Sequence, residues 1–304
     1  LAFGRYKGAS YFIDRVYEAL PQTVLGRIMS PAAVGIYNRA DAVCGIPAHI
    51  VLGATFSIAF PAFSKQIRAG SNAISSVKNS YLMALRLITG LFWPGTLLLS
   101  VFASPVVLLV LGPDWRAAIP ILRILALASA FWFSVSFSYP VLIAAGANRD
   151  AFVSNFISRA LGALILCSAS VFGLMAVALS QFISLPLEMV ILLTYVRRHI
   201  PFQWRELAVA LLPSAAVTAA TLVGPLVVIV LRGHGFDISI GEMFLLLPLA
   251  GAGWLAGIVL ARHPLLAEVL LVASSVLRRL PLRPARALAS TVAPRHAADD
   301  PTNR

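Results

Sequence analysis

Eight times between Tyr11 and Ala261 the sequence returns to an apolar run of roughly the 20 residues a bilayer core requires. Such a core is about 30 Å thick and offers the backbone no water, so a crossing segment must satisfy its own amides as a helix of about 1.5 Å rise per residue. The runs lie at about Tyr11–Met29, 42–62, Tyr81–Phe102, Ala117–Gly146, Ala151–Phe172, Leu174–Val196, Leu207–Leu231 and Met243–Ala261. They predict an all-α polytopic membrane protein with about eight transmembrane helices. Composition agrees: 59% of residues are hydrophobic and 12% charged, against about 45–50% and 25% in soluble domains.

The net charge of +12 would suggest nucleic acid in a soluble protein. Here the basic residues gather between apolar runs, as topology requires, and suit anionic lipid; no nucleic-acid partner is expected. Arg5, Lys7, Lys65, Arg68, Lys78, Arg149, Arg197, Arg198 and Arg205 fall on one set of alternate loops, and only Arg39, Arg116 and Arg232 on the other. The bias places both ends of the segment in the cytoplasm.

Ionisable groups inside the runs are costly in lipid unless they face protein or water. The candidate cavity set is Arg15, Glu18, Arg39, His49, Arg86, Arg123, Arg159 and Glu188. Arg86 and Arg123 sit near run ends, where a long side chain can also reach the interface. Arginines outnumber carboxylates in the set, so the expectation is a positive, watery chamber able to grip a phosphate or diphosphate through paired hydrogen bonds. Pro21, Pro47, Pro94, Pro140 and Pro186 permit helix bending around it. The last two runs contain no internal charge. The chain therefore divides into residues 1–200 carrying buried polar chemistry, 201–262 as two supporting helices, and 263–304 as an interfacial helix with a disordered basic tail.

No catalytic constellation is present, and neither a cofactor nor a metal is expected. His49, His199, His234, His263 and His296 are scattered without metal-ligand spacing. Gly251-Ala252-Gly253 lies inside an apolar run rather than after a strand, while Gly253 and Gly257 give the small-residue spacing of close helix packing. Cys44 and Cys167 form no disulfide framework. The chain opens at Leu1 with no signal segment and is read as the C-terminal portion of a longer protein.

Five pieces in order carry a family likeness: Leu25-Gly26-Arg27, Val34-Gly35-Ile36-Tyr37-Asn38-Arg39-Ala40, Phe60-Pro61-Ala62-Phe63-Ser64, Leu111-Gly112-Pro113-Asp114-Trp115 and Ala144-Ala145-Gly146. Together they resemble the Wzx-like polysaccharide and oligosaccharide flippases of the multidrug/oligosaccharidyl-lipid/polysaccharide superfamily, over about residues 1–200. The resemblance implies the second six-helix half of such a transporter plus two extra helices. It further implies alternating-access movement of undecaprenyl-pyrophosphate-linked oligosaccharide across the bacterial inner membrane, for exopolysaccharide or O-antigen synthesis. Polysaccharide polymerase and chain-length or export proteins are the implied partners. The alternatives are a drug or metabolite antiporter of the same superfamily, whose lumen is more often acidic, and an integral-membrane glycan polymerase or acyltransferase.

Overall fold

The computed structural model describes residues 2–51, 74–233 and 235–271, and among these every regular element is helical. Helices α1 (Ala2–Ile28) and α2 (Pro31–Cys44) are followed by a further helical stretch, 46–51. After them come α3 (Ile74–Val101), α4 (Ala103–Val110), α5 (Ala118–Ala128), α6 (Phe133–Ala144), α7 (Asn148–Ser170), α8 (Leu174–His199), α9 (Trp204–Arg232) and α10 (Ile240–Leu260).

Six helices or helix pairs among the described residues are long and apolar enough to cross a membrane: Ser76–Val101, Ala118–Ala144, Asn148–Ser170, Leu174–His199, Trp204–Arg232 and Ile240–Leu260. The chain is an all-α polytopic membrane protein. Of the eight expected spans, the first is a continuous helix through Pro21 but carries more charge than these six. The second runs into residues 52–73, which lie outside the described residues, as do the Phe60–Ser64 motif and the tail 272–304. Leu164, Leu245 and Leu260 stand outward, 65%, 70% and 82% exposed. Apolar surface this extensive is stable against lipid tails and not against water.

Turn chemistry sets the boundaries. Ser30 Oγ accepts the Ala33 amide at 3.2 Å, and Pro31 occupies the first turn of α2. Gly112 and Gly173 take φ of +94° and +101°, where a side chain would be strained, and close the short turns ahead of Pro113–Trp115 and α8. The fourth run is not one helix. Ser129–Trp132 tightens into a 3₁₀ turn between α5 and α6, although Pro140 is the residue that suggested a bend. The Trp93 indole N–H donates to the Ala130 carbonyl at 2.8 Å and helps hold this turn.

α9 packs along α3 and α10 along α9. Gly257 lies so close to α9 that a Cβ there would meet Val217 Cα at 2.9 Å, and one on Gly253 would strike the Ala220 carbonyl oxygen. A polar clasp joins the same elements. His263, 1% exposed, sits with Nε2 3.1 Å from Ser214 Oγ, while its Nδ1 accepts the Leu265 amide at 3.2 Å. Ser214 in turn donates to the Arg86 carbonyl at 3.0 Å and lies 2.8 Å from Thr89 Oγ1. The residues up to Leu265 form one compact unit, and Leu266 onward belongs to a second. His263 to Leu265 thus belong to the first unit.

Candidate functional site

The central polar cluster is drawn from three helices. Asp14 of α1 accepts, at a single oxygen, the Asn155 amide N–H at 3.1 Å and the Arg159 Nε–H at 3.1 Å. Arg159 Nη1 lies 3.6 Å from the Glu188 carboxylate of α8. The Tyr17 ring underlies the guanidinium at 4.6 Å, and Gly162 lets the two helices approach: a Cβ there would be 2.6 Å from the Tyr17 hydroxyl. Asp14, Arg159 and Glu188 each fall near the middle residue of their helices. About eleven residues at 1.5 Å rise is roughly half of a 30 Å core, so the cluster lies at membrane mid-depth. It lines a cavity of about 270 Å³ with Trp132, Tyr139 and Ser158.

A second cavity, about 440 Å³, shares Trp132 with the first and is lined by Glu18, Tyr37, Asp41, His49, Ser129 and Gln181. The 3₁₀ turn between α5 and α6 supplies both Ser129 and Trp132, so the break in the fourth run shapes the wall between the two cavities.

Of the eight residues singled out in the sequence, Glu18, His49, Arg159 and Glu188 line these cavities. The other four go elsewhere. Arg15, 62% exposed, bonds Glu18 at 2.9 Å and Tyr11 at 3.0 Å along the outer side of α1. Arg39 stacks on Trp115 at 5.6 Å. Arg86 donates to the Ala210 carbonyl at 2.9 Å, on the α9 side of α3, while Tyr81, Leu85, Ile88 and Phe92 take the opposite, core side. Arg123 stacks on Phe236 at 5.2 Å and donates to its carbonyl.

The described lining of the two cavities does not carry the expected excess of arginines. Asp14, Glu18, Asp41 and Glu188 face one arginine across the two cavities, so the described lining is acidic. Helix periodicity explains the difference. In a run apolar on every side, nothing in the sequence says which way a lone arginine turns, and backbone carbonyls or aromatic rings of other segments engage three of them. Asp41, Trp132 and Tyr139 were not singled out beforehand. Asp41 reads as part of a polar turn, and the two aromatics are ordinary in an apolar run.

Residues 1–120 match the family described as "Polysaccharide biosynthesis protein". Four of the five motif pieces lie within them. The chain resembles polysaccharide biosynthesis and transport proteins. It is 26% identical over 172 residues to "Teichuronic acid biosynthesis protein TuaB" of Bacillus subtilis (strain 168), covering 57% of this chain and 34% of that protein. It is also 26% identical over 126 residues to "Succinoglycan biosynthesis transport protein ExoT" of Rhizobium meliloti (strain 1021), covering 41% and 25% respectively. These findings bear out the resemblance to Wzx-like flippases. The chain thus spans about a third and a quarter of the lengths of these relatives. No solved structure gives a significant match.

Proposed function

We propose that this chain forms part of a transporter that moves lipid-linked oligosaccharide across the bacterial inner membrane by alternating access, with undecaprenyl pyrophosphate as the lipid carrier. The observation that carries the reading is the mid-membrane cluster of Asp14, Asn155, Arg159 and Glu188 beside Trp132 and Tyr139. Carboxylates and amides accept and donate to sugar hydroxyls, and flat aromatic rings stack against the apolar faces of sugar rings. A lining in which carboxylates outnumber arginines suits the saccharide and repels a diphosphate, so the diphosphate is held outside these two cavities. The relatives' names point the same way, one to biosynthesis of teichuronic acid and one to succinoglycan biosynthesis and transport.

The acidic lining also favours a second reading, a cation-coupled drug or metabolite antiporter of the same superfamily. One experiment separates the two. Arg159→Ala and Glu188→Gln are introduced into the complete protein, and polymer export and efflux of a cationic dye are both measured at matched protein levels. Polymer export falls severely in both variants while dye efflux stays at background if the first reading holds. Unchanged export with dye efflux lost would establish the second.

A further inference from the structure

A third cavity, about 540 Å³, lies at one end of the bundle, far along the helices from the acidic cluster. Its charged lining is Lys78, Arg197, Arg198 and Glu206. Lys78 stands at the start of the span Ser76–Val101, the two arginines end Leu174–His199, and Glu206 begins Trp204–Arg232. Three spans thus leave the apolar core together here, which sets the cavity at headgroup level. Trp204, 41% exposed beside it, is the residue type that settles at that level.

The cationic groups are held in place. Arg197 Nε donates to the Phe202 carbonyl at 2.8 Å, and its guanidinium stacks on Phe202 and Trp204 at 5.8 and 5.0 Å. Arg198 stacks on Tyr195 at 4.2 Å. Lys78 is bonded to Glu206 at 2.7 Å, and Glu206 also accepts the Gln203 amide. That carboxylate is therefore occupied by the lysine and by its own helix cap. Among the described residues no carboxylate pairs with Arg197 or Arg198. Two ordered guanidinium groups in a cavity open at the membrane surface are short of an anion.

We propose that this cavity is a binding site for an anionic phospholipid, its phosphate gripped by Arg197 and Arg198 and its glycerol region near Thr194 and Gln203. The inference does not depend on what the transporter carries. A guanidinium fork matches phosphate oxygens in pairs, and the bilayer supplies phosphates at this depth. Stacking on aromatic rings pre-organises the fork and lowers the entropy lost on binding.

Native mass spectrometry of the complete purified protein, titrated with phosphatidylglycerol, phosphatidylcholine or inorganic phosphate, tests this. Phosphatidylglycerol is retained in preference to phosphatidylcholine. Retention weakens about fivefold in Arg198→Gln, at an exposed position, and roughly 30-fold in the Arg197→Gln/Arg198→Gln variant. Arg205→Gln, equally exposed at the same end but outside the cavity, changes it less than about twofold. Equal weakening by Arg205→Gln would reveal a diffuse surface charge and overturn the site. So would equal retention of phosphatidylcholine, or displacement of the lipid by inorganic phosphate at matched concentration.

Discussion

Arg159 owes its position to partners no local pattern shows: Asp14 lies 145 positions away and Glu188 approaches from the next helix. A charge taken out of water and deprived of its partner destabilises more than the pair stabilises, so the cluster responds asymmetrically to substitution. Asp14→Asn, which leaves Arg159 facing Glu188 alone, is expected to lower thermal stability less than Arg159→Ala, which leaves two carboxylates facing each other; melting of the purified variants checks the order. Arg15→Ala, at an exposed pair, is expected to leave the melting temperature nearly unchanged. His263 makes a different prediction. Nδ1 accepts the Leu265 amide, so Nε2 carries the proton toward Ser214, and a second proton has no acceptor. Burial, aided by the nearby Arg86 charge, holds its pKa down to about 4 against an ordinary 6.5. Because the unfolded chain takes up the proton first, the contribution of this group to stability is level above about pH 6.5 and is lost as pH drops toward 4. Melting temperature measured across that range declines in the native protein and declines less in His263→Gln.

The helices show how far a sequence of this kind can be read. Spans built from apolar runs and the close approach at Gly253 and Gly257 were legible because each rests on local chemistry. The break at Ser129–Trp132 was not, since Ser, Ala, Phe and Trp continue a helix as readily as they interrupt one; tertiary contacts at Trp93 decide it. The cavity faces were half legible for a related reason. Glu188 and Arg159 turned inward, whereas Arg86 and Arg123, in spans just as apolar, found carbonyls on their other sides. At this scale the sharpest prediction concerns Gly90. A Cβ there would fall 2.6 Å from the His263 ring and 2.7 Å from Leu265, and the Gly90 carbonyl accepts the Trp254 indole N–H at 3.0 Å. Gly90→Ala is expected to destabilise by about 1–3 kcal/mol through overpacking. Trypsin access to the region after Leu260 rises with it, whereas Gly251→Ala, with nothing within 4 Å, leaves both unchanged.

The whole molecule combines an apolar exterior, two cavities whose described lining is acidic and a basic cavity where three spans end. From the loop-charge bias we propose that residues 145–150 and 199–204 face the cytoplasm and residues 111–117 the periplasm. In a background with Cys44 and Cys167 replaced by serine, a cysteine at Arg149 is then protected from an impermeant thiol reagent added to intact cells, and one at Asp114 is labelled. The claim beneath everything else is that the face of α7 carrying Arg159 borders water rather than lipid. Ser158 lines the cavity with it, and Leu164, on the same helix, points outward. The most direct measurement compares Ser158→Cys with Leu164→Cys in the complete protein, using a charged, water-soluble thiol reagent on open membranes. The account predicts rapid labelling at 158 and none at 164; protection of 158 together with reaction only toward a lipid-soluble reagent would contradict it.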